Sequence, residues 1–113
     1  MEYNEIFRLK KMLEDEGIPF EFMTMFKESR TLSGYRIAYP KDTTKHLVCS
    51  VIEHGGSYGH EQDLLEIMGL LTDDEKKGDS VAGWLTAEDV FNRIKEHYTE
   101  SQYLMSVNVK GGD

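Results

Sequence analysis

Cysteine occurs once, at Cys49, so no disulfide can close within the chain, and a reducing cytoplasm is the expected setting. Only two prolines interrupt 113 residues, and 39% of them are hydrophobic, a balance that excludes a disordered chain. No apolar run approaches the roughly 20 residues that a membrane span needs. A signal peptide is not expected either, because Glu5, Arg8, Lys10 and Lys11 break up the first apolar residues. Positive charge is scarce: 13 Lys and Arg stand against 21 Asp and Glu, leaving −8. That excess repels phosphate backbones and argues against direct nucleic-acid binding. What is left is a globular protein, expected to form one domain over residues 1–113.

The acids are unevenly placed. Residues 61–79 carry Glu61, Asp63, Glu66, Asp73, Asp74, Glu75 and Asp79 against Lys76 and Lys77. Such a band attracts a basic surface on a partner, although solubility alone also accounts for it. Trp84, between Gly83 and Leu85, is the natural apolar anchor beside that band, since Trp often dominates interfaces.

Periodicity sets the elements. Ile6, Leu9, Met12 and Leu13 recur at helical spacing after Asn4, an N-cap candidate, and Gly17 and Pro19 stop the helix. Phe20–Phe26, Tyr35–Tyr39 and Leu47–Ile52 alternate as strands joined by short polar turns at Ser29–Gly34 and Lys41–Lys45, which favours an antiparallel meander. The third run is apolar on both faces and fits a central position. A second helix is expected from His60 to Met68, with Leu64, Ile67, Met68 and Leu71 on its buried side. Thr72 and Glu75 form a capping box over a short turn that Gly78 closes, Val81–Leu85 is a hydrophobic connection, and Thr86 caps the last helix. That helix turns Val90, Phe91, Ile94 and Tyr98 inward and leaves Asp89 and Arg93 as an exposed pair. Gln102–Val109 alternates as an edge strand would, and the same stretch suits a dimer seam or a flexible tail from about residue 100. The fold class expected is α+β: an N-terminal helix, an antiparallel three- or four-stranded sheet, and two C-terminal helices packed on one face.

Polar chemistry gathers in one place, the loop His54, Gly55, Gly56, Ser57, Tyr58, Gly59 and His60. Zinc would draw on Cys49, His54 and His60 with Glu61 or Asp63. Cys49 and His54, however, are an odd number of positions apart and point to opposite faces of a strand. Nucleophilic catalysis would need Cys49 or Ser57 paired with a histidine, and neither carries the pattern of a known elbow. The glycines could instead cradle a phosphate, with Ser57 on the anion and Tyr58 stacked on a base, yet no lysine follows and Glu61 and Asp63 oppose an anion. No catalytic residue, metal or cofactor is therefore expected.

Val48-Cys-Ser-Val-Ile-Glu-His54, Ser57-Tyr-Gly59, Asp63-Leu-Leu-Glu-Ile-Met-Gly-Leu-Leu-Thr72 and the run from Asp79 through Trp84 to Ile94 resemble a family of small proteins from Gram-positive phages and prophages. Gly17-Ile-Pro-Phe20 and Gly34–Pro40 match more loosely, so the likeness covers most of residues 5–98. The resemblance implies an accessory protein of the infected cell that binds and disables a host defence factor, as anti-CRISPR proteins do, and carries over no catalytic residues. The expected function is thus a non-enzymatic inhibitor whose carboxylates occupy a basic, nucleic-acid-binding groove on a host nuclease, with Tyr58 or Trp84 as anchor. Three alternatives stay open: a binder that sequesters a nucleotide in the glycine loop, a hydrolase or metalloenzyme centred on His54 and His60, and a regulatory or structural homodimer.

Overall fold

Apolar residues recur at helical spacing near both ends of the chain and alternate between them, and the architecture follows. The computed structural model describes residues 2–41 and 46–111, with side chains to Val107. Residues 42–45 of the expected Lys41–Lys45 turn, and the side chains at 108 and 109 of the expected strand, lie outside the described residues. The elements are α1 (Glu5–Asp15), β1 (Glu21–Met25), β2 (Gly34–Tyr39), β3 (Cys49–His54), a 3-10 turn (His60–Gln62), β4 (Leu65–Met68), α2 (Asp73–Gly78), β5 (Val81–Leu85) and α3 (Ala87–Gly111). The five strands form one antiparallel sheet in the order β1-β2-β3-β4-β5, with the doubly apolar β3 at its centre. The protein is α+β.

One row of register partners, Phe22, Ile37, Val51, Ile67 and Ala82, runs across the sheet and packs into the core with Leu9, Leu13, Val90 and Ile94 from the helices. The next row, Met23, Arg36, Ile52 and Glu66, points to the opposite face. α1 and α3 lie side by side and run the same way, since Arg8 meets Glu88 and, further along both helices, Glu16 meets Lys95 at 3.6 Å. Gly17 ends α1 in the left-handed region at φ 68°, and Ile18 N–H donates back to the Leu13 carbonyl at 3.0 Å.

Three sequence expectations are corrected. Residues 60–68 do not form a helix: Asp63, at φ 55°, stops the 3-10 turn, and Leu65–Met68 is a strand. Leu64, Ile67 and Leu71 fit a helical period, but Leu65 and Ile67 also alternate, and open edges on β3 and β5 decide between the two readings. Val81–Leu85, expected as a connection, is the edge strand β5, so the sheet has five strands rather than three or four. The alternating Gln102–Val109 segment is helical and belongs to α3, because neither glycine nor proline occurs between Thr86 and residue 110 to break it.

Of the two helices that follow β4, α3 packs on the core, whereas α2 is a capped turn with no buried residue. Thr72 and Glu75 close the capping box, with Thr72 N–H donating to Glu75 Oε1 at 2.8 Å and Glu75 N–H to Thr72 Oγ1 at 3.2 Å. Arg93 is not an exposed partner of Asp89 alone. Its guanidinium forks onto Glu75 at 2.7 and 2.9 Å and also donates to the Leu70 carbonyl at 3.1 Å, which ties α3 to α2 and to the turn after β4. That fork holds the Glu75 carboxyl down to about 2. A planar, five-donor group is needed for these contacts. Arg93→Lys should therefore lower stability by about 1–2 kcal/mol, and Arg93→Ala by more, as read from urea midpoints. Equal stability of the lysine variant would show that the fork carries little.

Candidate functional site

Buried carboxyls set the geometry on which every candidate site rests. α1 opens without help from its own N-cap, for the Asn4 side chain makes no capping bond. Asp63 Oδ1 instead accepts from Asn4 N–H at 2.9 Å and Glu5 N–H at 3.1 Å, while Glu53 Oε1 accepts from Ile6 N–H at 3.1 Å. These acceptors come from the 3-10 turn and β3, and they satisfy donors that a helix start leaves orphaned. Glu5 repeats the device one helix further on: its Oε2 accepts from Ala87 N–H, at the start of α3, at 2.6 Å.

Glu53 is fully buried, and its second oxygen, Oε2, has no acceptor role to fill among the described residues. Burial, then the neighbouring Asp63 carboxylate, pushes its pKa up to about 9, while Asp63 is held below the usual carboxylate range by Glu53 and by two backbone N–H donors. Burial opposes that depression without reversing it. A proton on Glu53 accounts for both observations, since it turns the orphan oxygen into a donor to Asp63. Sequence reasoning missed Glu53. The available signal was a carboxylate in the core-facing phase of β3, two positions after Val51.

The glycine-rich loop is wired to itself. Ser57 is buried, accepts from His54 N–H and donates to the His54 carbonyl, both at 3.0 Å. Gly56 N–H donates to His54 Nδ1 at 2.9 Å, and Tyr58 N–H donates to Glu66 Oε1 at 2.8 Å. Burial lowers the His54 pKa, and the edge of the Phe26 ring lies against its imidazole at 5.2 Å. The N–H groups at residues 56–58 that a phosphate would need are thus engaged by the chain's own acceptors, one of them a carboxylate. His60 keeps a buried Nδ1 without a partner among the described residues, and its Nε2 stands 4.0 Å from Glu61. Cys49 lies in the core and His54 belongs to the opposite face of β3, and among the described residues no three His, Cys, Asp or Glu side chains converge as a metal site.

The exposed chemistry is aromatic. Tyr58 and Trp84, 47% and 57% exposed, stack with centroids 5.5 Å apart and planes within 10°. A bulge makes this contact. β4 advances two residues from Leu65 to Ile67 while β5 takes three from Ala82 to Leu85, so Gly83 and Trp84 together oppose Glu66. Trp84 adopts φ 56°, a conformation that costs a bulky residue about 1–2 kcal/mol. Glycines make room for it: a β-carbon at Gly83 would collide with Tyr58, and one at Gly59 would come within 3.0 Å of the Trp84 backbone. Residues 56–62 and Trp84 enclose a hollow of about 270 Å³.

The acids expected to bind a partner do not act alike. Asp63 caps α1, Glu75 is forked by Arg93, and Glu66 holds Tyr58, so these three bond to other parts of the fold, whereas Asp79 accepts from the adjacent Ser80 N–H and Asp74 pairs with Lys77 on its own turn. Glu61 and Asp74 are open, with side chains 83% and 95% exposed, and Asp73 and Asp79 are exposed near Asp74 on and after α2. Glu61 belongs to the Leu65–Leu85 end of the β4–β5 pair with Tyr58 and Trp84, whereas α2 belongs to the Met68–Val81 end. No family model matches the chain, and neither a curated protein nor a solved structure is significantly similar to it.

Glu53 makes stability pH-dependent with a definite sign. Unfolded, it ionises near 4.5; folded, it keeps its proton up to about 9. The contribution is fully present below the lower value and is lost as pH rises through the interval. In Glu53→Gln, the amide donates to Asp63 and its oxygen accepts from Ile6 at any pH. We expect the variant to match wild type to within about 1 kcal/mol near pH 5 and to exceed it by about 4 kcal/mol at pH 8. Parallel curves of urea midpoint against pH would show that Glu53 is not the protonated partner.

Proposed function

We propose that this chain is a non-enzymatic binding protein whose recognition surface centres on the Tyr58–Trp84 stack, and that it inhibits a basic host factor in the manner of phage anti-defence proteins. The observation that carries the reading is a strained bulge keeping two large rings stacked and exposed beside carboxylates. A fold that needed only a closed edge would gain nothing by spending left-handed backbone on an exposed tryptophan. Chemistry narrows the guest. The hollow of about 270 Å³ is small for a nucleotide-sized ligand. It suits one side chain, and an arginine gains both the ring face and the nearby charges of Glu61 and Glu66. The exposed acids of α2 lie further along the same two strands and would steer a basic surface toward the stack. The phage resemblance of residues 48–94 supports an inhibitor of host defence as the biological form of this activity.

Calorimetric titration into purified RNA-guided nucleases of Gram-positive hosts, with and without added salt, tests the proposal. We expect Trp84→Ala to weaken binding at least about 30-fold, as removal of a hot-spot residue does. Asp73→Asn with Asp74→Asn and Asp79→Asn should mainly slow association and flatten its salt dependence. Binding that survives loss of both rings would remove the aromatic stack from the mechanism, and failure to bind or inhibit any such nuclease would remove the anti-defence reading.

A further inference from the structure

α3 outruns the body of the protein. Its first half is covered, with Ala87, Val90 and Ile94 fully buried and Tyr98 packed against the core. α1, which runs alongside, ends at Asp15, and the Lys95–Glu16 pair marks that end. Beyond it α3 continues to Gly111, and from Gln102 to Val107 every residue is exposed. Tyr103 and Met105 are 66% and 64% exposed, and Leu104 and Val107 lie open beside them. Steps of three and four from Ile94 pass through Tyr98 and Ser101 to Leu104 and Met105, so the stripe that faces the core prolongs itself past the core. A free helical segment of about 12 residues is marginal in water, which makes an uncovered stripe on one costly to maintain.

Charge identifies the occupant. Residues 101–109 carry no Asp, Glu, Lys or Arg, in a chain of net charge −8. A basic partner selected by the acidic surfaces has nothing to recognise here. A second copy meets no like-charge repulsion on this surface, and an apolar stripe is self-complementary under a two-fold axis. We propose that two copies of this chain associate through the free end of α3, the two helices antiparallel and crossing near Met105. The side chains available would bury on the order of 1,000 Å² in total, the low end for specific interfaces. The dimer should accordingly be a reversible, micromolar one. It would carry two Tyr58–Trp84 surfaces on one particle and so raise avidity for a repeated target.

Sedimentation velocity across the micromolar range tests this on the intact chain. The wild-type mass should climb from 13.0 kDa toward twice that value with concentration. L104E with M105E should stay at 13.0 kDa throughout and melt with wild type at concentrations where wild type is monomeric, because both side chains are exposed. A second readout locates the contact. Cys49, the sole cysteine, is buried, so mild oxidation of M105C should yield a covalent dimer, whereas the same change at exposed Ser80 should not. A wild type that remains monomeric at the highest concentration overturns the proposal, as does a double-glutamate variant that still dimerises.

Discussion

Both core helices start on carboxyls that other elements bring to them. Glu53 and Asp63 sit together beneath the start of α1, and two carboxylates in that place would repel each other and lose hydration. Held neutral, Glu53 bridges instead: one oxygen takes the Ile6 N–H and the other is free to donate to Asp63, which takes two more N–H groups. α1 meets two elements remote from it in sequence at this point, β3 and the 3-10 turn that follows it. Glu5 then extends the chain of contacts to the start of α3, so both core helices begin on carboxylates brought by tertiary structure. The arrangement also explains the turn after the glycine loop. Asp63 must adopt φ 55° to aim its side chain at α1, and Asp tolerates that conformation better than most residues.

How much of this the sequence discloses varies with the physics involved. α1, the first three strands and the cap of α3 were legible because local rules decide them: Gly17 and Pro19 can only end a helix, and Cys49, Val51 and their alternate neighbours can only line a central strand. β4 was not legible, because Leu64, Ile67, Met68 and Leu71 satisfy a helical period while Leu65 and Ile67 satisfy a strand's, and strand pairing on both sides settles the matter. The bulge had a signal, a glycine before a tryptophan in a hydrophobic run, yet nothing local distinguishes it from a connection. The Glu53–Asp63 pair is the clearest case. A glutamate two positions after Val51 looks solvated until the opposing turn closes over it.

The same distinction separates the acids that hold the fold from those that remain for recognition. Seven carboxylates in residues 61–79 read as one electrostatic band in the sequence. Asp63, Glu66 and Glu75 are instead bonded to Asn4, Tyr58 and Arg93, and the exposed remainder belongs to two ends of the β4–β5 pair. Exposed charges contribute roughly 0–1 kcal/mol each and are screened by salt. A well-packed aromatic anchor contributes about 2 kcal/mol or more. Under the proposed function, affinity at such a surface is decided by the rings, with the free acids governing the rate and direction of approach.

Trp84 could relax into an ordinary strand conformation only by turning away from Tyr58, whose backbone N–H is held by Glu66. Gly59 and Gly83 leave no side chain in the space the two rings require. The bulge, the two glycines and Glu66 therefore form one mechanical unit whose product is an exposed, immobilised pair of rings. Rings already ordered lose little conformational entropy when a partner arrives, so more of the contact energy appears as affinity. Under the proposed function, strain stored in the free protein and pre-organisation for binding are, at this edge of the sheet, the same quantity.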